Sequence, residues 1–525
     1  MKKIINNILK ASVVLSTVLF TSCFSELDQS PEPQQNLGDE SLLRNPESYK
    51  QFLGKLYGGL SLTNTAGGAD VAGIDEGFSQ YIRGYWKMQE LTTDEAVIAW
   101  RDQTIQDFHN HAWTSTDVFI TATYFRFDYQ IKICNDFLRQ TTQAKLESRG
   151  IPSSFFAQIE DYRNEARLLR AMSYYHALDM FGSFPIFTEN SPTTYYLAEP
   201  ATKLELFNFI ETELKEIEDE LKVPGANEYG RIDRVAAWMI LSKLYLNSVQ
   251  YIGSTKYEDA LVYADKIVNN GYYALHDDYK ELFMADNDQN GAQKEVIFPI
   301  VHDGIYTTSF GGTQFIIHAA VGGDMKAGDF GINGGWAGLR TTKSLVDKFS
   351  RADVRGMFFT TGQSLEIRDI GAFTDGYAIT KFTNTKSDNQ GPGSSLNFVD
   401  TDFPLFRLAD AYLMYAEAHL RGGGGNSTVA LDLVNQLRAR AGLPNLSPSL
   451  FNLNTILDER ARELYWEGHR RTDLIRFGKF TGGSYVWPWK GGASSGASTP
   501  SFRNVFPIPS IARSANGKLT QNPGY

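Results

Sequence analysis

The sequence predicts an all-α-dominated fold, a helical scaffold that carries long irregular loops. Two observations predict it. Apolar residues recur at steps of three and four, as in LELFNFIETELKEIEDEL, where Leu206, Ile210, Leu214, Ile217 and Leu221 share one helix face. Between the periodic blocks, roughly 60–116 and 286–400 are rich in glycine and aromatic residues without a sustained period, and loops of that length are uncommon unless they carry function.

Taken in order, the chain starts with Lys2, Lys3 and Lys10, which precede an apolar block from Ala11 to Phe20. That block is too short for the roughly 20 residues of a spanning helix, so residues 1–22 read as a secretory signal. Thr21 and Ser22 lead into Cys23, the pattern of a bacterial lipoprotein whose thiol is lipidated and becomes the new N-terminus. Several acyl chains together give stable anchoring. The chain has 2 cysteines, and once Cys23 carries lipid, Cys134 has no intrachain partner. A disulfide framework and a cysteine metal cluster are thereby excluded. Residues 23–45 are polar with two prolines and read as a flexible tether.

Helical patterns dominate beyond it. Leu168, Met172, Tyr175, Leu178 and Phe181 line one helix face, and Gly182 with Pro185 stops that helix. Residues 236–270 read as two helices broken near Ile252 to Thr255, with small Ala260 and Ala264 and paired aromatics; the length and pattern resemble a tetratricopeptide unit. Three late helices are expected in FPLFRLADAYLMYAEAHLR, TVALDLVNQLRARAG and ILDERARELYWEGHRRTDLIRFG.

Lys plus Arg is 50 against Asp plus Glu 61, a net charge of -11, which argues against nucleic acid and polyanionic ligands. Aromatic residues are 13% of the chain and suit either a large core or a surface that stacks against flat ligand faces. The 525 residues suffice for one large domain or two to three smaller ones.

Motifs of catalysis are weak. Gly492, Ser494 and Gly496 have nucleophile-elbow spacing in a low-complexity loop, the wrong context. His109 and His111 lack a third zinc ligand nearby. Carboxylates such as Asp75, Glu76, Asp94 and Glu95 invite comparison with a glycosidase pair, but nothing in the sequence pairs any two. DNDQNG places Asp286, Asp288, Asn290 and Gly291 as in a calcium loop, yet position twelve is Ile297, which excludes an EF-hand and leaves a solvated acidic turn or another calcium geometry. The aromatic loops hold Trp86, Trp100, Trp113, Phe310 and Trp336, with Arg83, Gln103 and Asn333 close by. A carbohydrate platform needs exposed rings beside planar donors, and a core needs the same rings buried.

Four segments together, NEARLLRAMSYYHALDMFGSFPIFTE, FPLFRLADAYLMYAEA, ERARELYWEGHRRTDLIRFGKF and the terminal FPIPSIARSANGKLTQNPGY, resemble the RagB/SusD family of Bacteroidetes outer-membrane lipoproteins. The resemblance implies a single helical domain over 46–525 with tetratricopeptide-like units as scaffold, a glycan-binding face on the extracellular side built from loops, and no catalysis. It also implies a partner, a SusC-like TonB-dependent transporter on which such proteins sit as a lid, with the lipid holding them to the outer membrane.

Within the family, ELTTDEAVIAW, ELFMADNDQN, FPIVHDGIYTTSFGGTQF, NGGW and VWPWKGGA are similar to the starch-binding prototype. That likeness implies an aromatic arc against helical α-glucan: Trp100 and Trp336 match two arc residues, Phe310 stands where a tyrosine is expected, and Arg83 matches a hydrogen-bonding arginine. Ile98 stands where the prototype has another tryptophan, and Gln103 replaces an asparagine. The same likeness implies a structural calcium at Asp288 and Asn290, joined by Asp400 and Asp402 from DTDFP. The expectation is a surface lipoprotein that captures starch-like oligosaccharide for the transporter. The alternatives are a related binder of another glycan, such as β-glucan or fructan, or of peptide, and a glycoside hydrolase.

Overall fold

The computed structural model describes residues 40–63, 77, 79–194 and 196–525. The signal segment, Cys23 and most of the tether lie outside the described residues.

The helices that build the scaffold and the site are α1 (Ser48–Ser61), α2 (Tyr81–Glu90), α3 (Val118–Gln140), α4 (Phe156–Phe181), α5 (Lys203–Ile217), α6 (Arg234–Leu246), α7 (Tyr257–Val268), α8 (Gly312–Ala320), α9 (Leu408–Leu420), α10 (Ser427–Arg440), α11 (Leu453–Leu464) and α12 (Arg470–Arg476). Side-by-side packing runs from α3 to α4 to α5, and from α6 to α7 to α9 to α10. Helix α5 begins at a capping box, in which Thr202 accepts from the Glu205 amide and Glu205 accepts from the Thr202 amide, and Leu206, Ile210, Leu214 and Ile217 are its buried face. Helix α4 ends at Gly182, whose φ of 72° is left-handed and open to glycine at little cost. The expected two-helix unit is α6 and α7, joined through a short helix that stops at Gly253.

Two late segments differ from the periodic reading. FPLFR is strand β4 (Phe403–Arg407), paired antiparallel with β2 (Val296–Ile300), and α9 begins only after it. All five residues of β4 are buried, so no alternation marks the strand. The segment expected as one helix over 456–478 is α11 and α12, separated where Trp466 has φ 63° and Gly468 φ 81°. The backbone turns there because Glu95 accepts from the Trp466 amide at 3.2 Å and Glu90 from the Gly468 amide at 2.6 Å.

The two regions without period are not loop throughout. They contain α2, α8, β2 and the antiparallel pair β1 (Val97–Ile98) with β3 (Leu339–Arg340). Every residue of α2 except Arg83 is buried, and a helix buried on all sides shows no polar face to the eye.

One cluster of buried apolar residues runs from Leu43 to Leu519. Many of the charges inside it are paired: Arg407 meets Glu295, Glu463 and Glu467 at 2.6–2.9 Å, and Arg355 meets Asp353, Glu459 and Glu463 at 2.8–2.9 Å. Cys134 is buried, and burial pushes its thiol up to about 12, so it is inert. Among the described residues, no helix is long and apolar enough to cross a membrane.

Candidate functional site

The site starts from Gln80, which caps α2. Its side chain accepts from the amides of Arg83 and Gly312 and donates to Leu60 O, so one residue ties α1, α2 and the start of α8. The antiparallel pairing of β1 with β3 then decides where two indoles go. Ile98 faces Leu339, and the Ala99 amide donates to Gly338 O at 2.9 Å. Trp100 follows β1 and Trp336 precedes β3, so the ladder delivers both to the same end.

There the Trp100 indole N–H donates to Trp336 O at 3.0 Å, and the two rings lie 6.3 Å apart at 43°. Phe310 continues the chain at 6.3 Å from Trp336, and Phe398 lies 5.7 Å from Phe310. Phe310 is 45% exposed, and Trp100, Trp336 and Phe398 are half-buried. Beneath them Phe315 packs edge-on to Trp100, and His318 stacks on Trp336 at 4.8 Å and 29°. Burial lowers the pKa of His318, so an uncharged ring backs the indole.

Arg83 acts behind this surface. Its guanidinium lies 4.4 Å over the Phe315 ring and donates to Phe310 O at 2.9 Å and to Gly77 O, holding the backbone that presents Phe310. Gln103 is exposed on the turn after Trp100, and the same turn is tied back by Gln106 donating to Trp100 O at 3.0 Å. Asn333 is exposed and donates to the side-chain oxygen of Asn397, also exposed, while Gln314 donates to Asn397 O at 2.6 Å. Half-buried rings beside exposed amides suit a neutral polyol with apolar C–H faces.

The structure thus brings Trp100, Phe310 and Trp336 to one face, with Arg83 behind it and Gln103 exposed on the turn after Trp100. Trp86 and Trp113 are not part of it: both are fully buried, as core residues. Ile98 is buried in β1, so the ring chain begins at Trp100. Sequence reasoning missed Phe398, His318 and Asn397, which reach the face from segments with no period to mark them.

Of the carboxylates compared with a glycosidase pair, those among the described residues are withdrawn from solvent. Asp94 and Glu95 are buried, Asp94 against Arg470 at 2.7 Å and Tyr485 at 2.5 Å. Asp75 and Glu76 lie outside the described residues. His109 and His111 are buried and their pKa falls to about 3 through burial.

The expected calcium ligands are placed unevenly. The Asn290 side chain donates to Glu281 O and accepts from the Ala292 N–H. Asp400 accepts from Gly304 N–H and Ser394, and Asp402 from His302 N–H and Tyr229. Asp288 is exposed. Burial raises Asp402, and the charges of Asp288 and Asp400 raise it further, so these three carboxylates are near enough to repel one another. Among the described residues, no group of three or more His, Cys, Asp or Glu is arranged to hold a metal ion.

The sequence profile of the SusD family matches residues 367–525. Over 96% of both chains, the sequence is 34% identical to the starch-binding protein SusD of Bacteroides thetaiotaomicron. The chain belongs to the SusD family. Solved structures carry the same fold: surface glycan-binding protein A from Bacteroides thetaiotaomicron, in complex with laminarihexaose, superposes with a TM-score of 0.70 at 20% identity, covering 91% of this chain and 99% of that one. A SusD superfamily protein from Parabacteroides distasonis gives a TM-score of 0.69 at 23% identity over 91% and 99%. Members of the SusD family are carbohydrate-binding proteins and not enzymes.

Proposed function

We propose that this protein is a cell-surface lipoprotein, anchored to the outer membrane through Cys23, that holds α-glucan oligosaccharide on Trp100, Trp336 and Phe310 and passes it to a SusC-like TonB-dependent transporter. The observation that carries the reading is the chain of partly exposed rings at 6.3 Å steps, in a sequence 34% identical to a starch-binding protein. A face open to solvent covers only part of a ligand, so affinity is modest and release is easy. Native gel electrophoresis in amylopectin tests it. Trp100→Ala and Trp336→Ala should migrate freely where the wild type is retarded, with unchanged circular dichroism; retardation equal to wild type in both variants overturns the placement of the arc.

A second reading, another glycan such as β-glucan, is favoured by one observation: the buried Ile98 leaves the arc one ring shorter at that end.

Calcium, which the likeness to the starch-binding protein implies at Asp288, Asn290, Asp400 and Asp402, enters the proposal as a loop-pinning ion, and these side chains would have to draw together to ligate it. Calcium should raise the melting temperature of the chelated protein. Identical melting with calcium and with chelator would leave the hydrogen bonds of Asp400 and Asp402 as the whole of the pin.

A further inference from the structure

The most exposed of the large apolar and aromatic side chains among the described residues is Tyr306, at 81%. An aromatic ring left in water forgoes the burial that rings of its size gain in a core. Its backbone is nevertheless held firmly. Asp303 accepts from the amides of Ile305 and Tyr306 at 2.8 and 2.9 Å, its carbonyl accepts from the Thr307 amide at 2.9 Å, and the Gly304 amide donates to Asp400 at 2.7 Å. The ring is displayed by a fixed turn.

That turn adjoins the aromatic chain. A Cβ on Gly304 would lie 2.6 Å from Phe398 O, so the loop backs directly onto Phe398. The Phe398 ring is in turn the neighbour of Phe310, where the loop ends. Tyr306 is two residues beyond Gly304, so its Cα lies within about 7 Å of the Gly304 Cα by chain geometry. The rings that follow one another along the face are Trp100, Trp336, Phe310 and Phe398, and the backbone turn that carries Tyr306 adjoins the last of them.

We propose that the glycan platform continues onto the loop from Asp303 to Ser309, where Tyr306 stacks on a sugar unit beyond the arc and gives preference for longer chains. The proposal rests on reading Trp100, Trp336 and Phe310 as a glycan platform. A tyrosine suits the role because its face is apolar and its hydroxyl stays wet and able to bond a sugar hydroxyl. The turn also exposes Ile305, at 55%, but two side chains on a hydrogen-bonded turn continuous with that platform fall short of the broad apolar patch that a protein partner would call for, and fit a chain of sugars better.

Isothermal titration of the soluble form, starting after Cys23, separates the outcomes. Wild type, Tyr306→Ala, Tyr306→Phe and Trp336→Ala are titrated with maltotriose and maltoheptaose, and in parallel with laminaritriose and laminarihexaose, and the result is read on the series that the wild type binds. Tyr306→Ala should weaken the long chain by about three- to tenfold and the trisaccharide by less than about twofold, while Tyr306→Phe stays near wild type. Wild-type affinity for the long chain in Tyr306→Ala, with binding lost in Trp336→Ala, overturns the extension and leaves the platform standing. Equal losses on both lengths also overturn it, since Tyr306 would then act within the arc. No wild-type binding to either series, or unchanged binding in Trp336→Ala, removes the platform and this proposal with it. Unchanged glucan binding joined to weaker co-purification with the transporter would assign the loop to a protein partner instead.

Discussion

Trp100 stands where it does because residue 338 has no side chain. A Cβ on Gly338 would lie 2.6 Å from the indole of Trp100, inside any real contact distance, and the same glycine's carbonyl receives the Ala99 amide. Gly338→Ala should therefore push the indole off its seat. Overpacking of this kind costs about 1–3 kcal/mol, and glucan affinity should fall while the helical signal is retained. A Gly338→Ala protein that binds glucan like wild type would mean that Trp100 is not held by this contact. At this scale the sequence was legible only in part. Trp86, Trp100 and Trp113 sit in one aromatic-rich region, and composition gives the same description for all three; two are core and one is surface. The likeness to a family separated them, because it compares positions rather than residue types. Arg83, expected to bond sugar hydroxyls, also donates to Phe310 O with its guanidinium over Phe315, and so positions the face.

Among the elements, those with one wet side were the most legible. The apolar stripes of α5 and α7 follow from side-chain spacing, because one face of each helix meets water, whereas α6, buried at all but Arg234 and Trp238, was legible only as half of a tetratricopeptide-like pair. The break between α11 and α12 does not follow from spacing. There the apolar pattern runs on, and the chain turns because Glu90 and Glu95, far away in sequence, collect the amides of Gly468 and Trp466. Gly468 has φ 81°, and a Cβ added to it would lie 2.4 Å from the Tyr85 ring. Gly468→Ala should then combine backbone strain with a clash, for a loss of about 2–4 kcal/mol in stability. Chemical denaturation checks this, and a midpoint equal to wild type would show that the turn adapts.

The whole molecule holds many ionisable groups away from water, and acid should expose how they balance. Burial lowers His109, His111 and His176 to about 3, so below the ordinary histidine value of about 6.5 the unfolded chain binds protons that the fold refuses, and stability is lost as pH falls. Burial raises Glu90 to about 7 and Asp117 to about 6, and raises Glu95 as well. Their contribution has the opposite sense: it is complete below the unfolded carboxylate range and is lost as pH rises through those values. Between about pH 4.5 and 6.5 the two sets oppose each other. Below that, the raised acids no longer differ between the two states and only losses remain. Burial alone would raise Asp94 and Glu417, but Arg470 and Arg476 override it and hold both at about 2, so protonating them removes further stability. The melting temperature should be nearly level from about pH 7 to 5 and fall steeply below about 4.5. A steady decline from pH 7 would mean that the histidines dominate throughout.

The claim on which the account turns is that the ring chain at the end of β1 and β3 holds an α-glucan. Isothermal titration of the wild-type soluble form with maltoheptaose, a cyclic α-glucan, laminarin oligosaccharides and levan tests it most directly. The account predicts heat of binding with the two α-glucans and none with levan. Binding to laminarin oligosaccharides alone, or to levan alone, would contradict it and give the same face to a differently shaped polysaccharide.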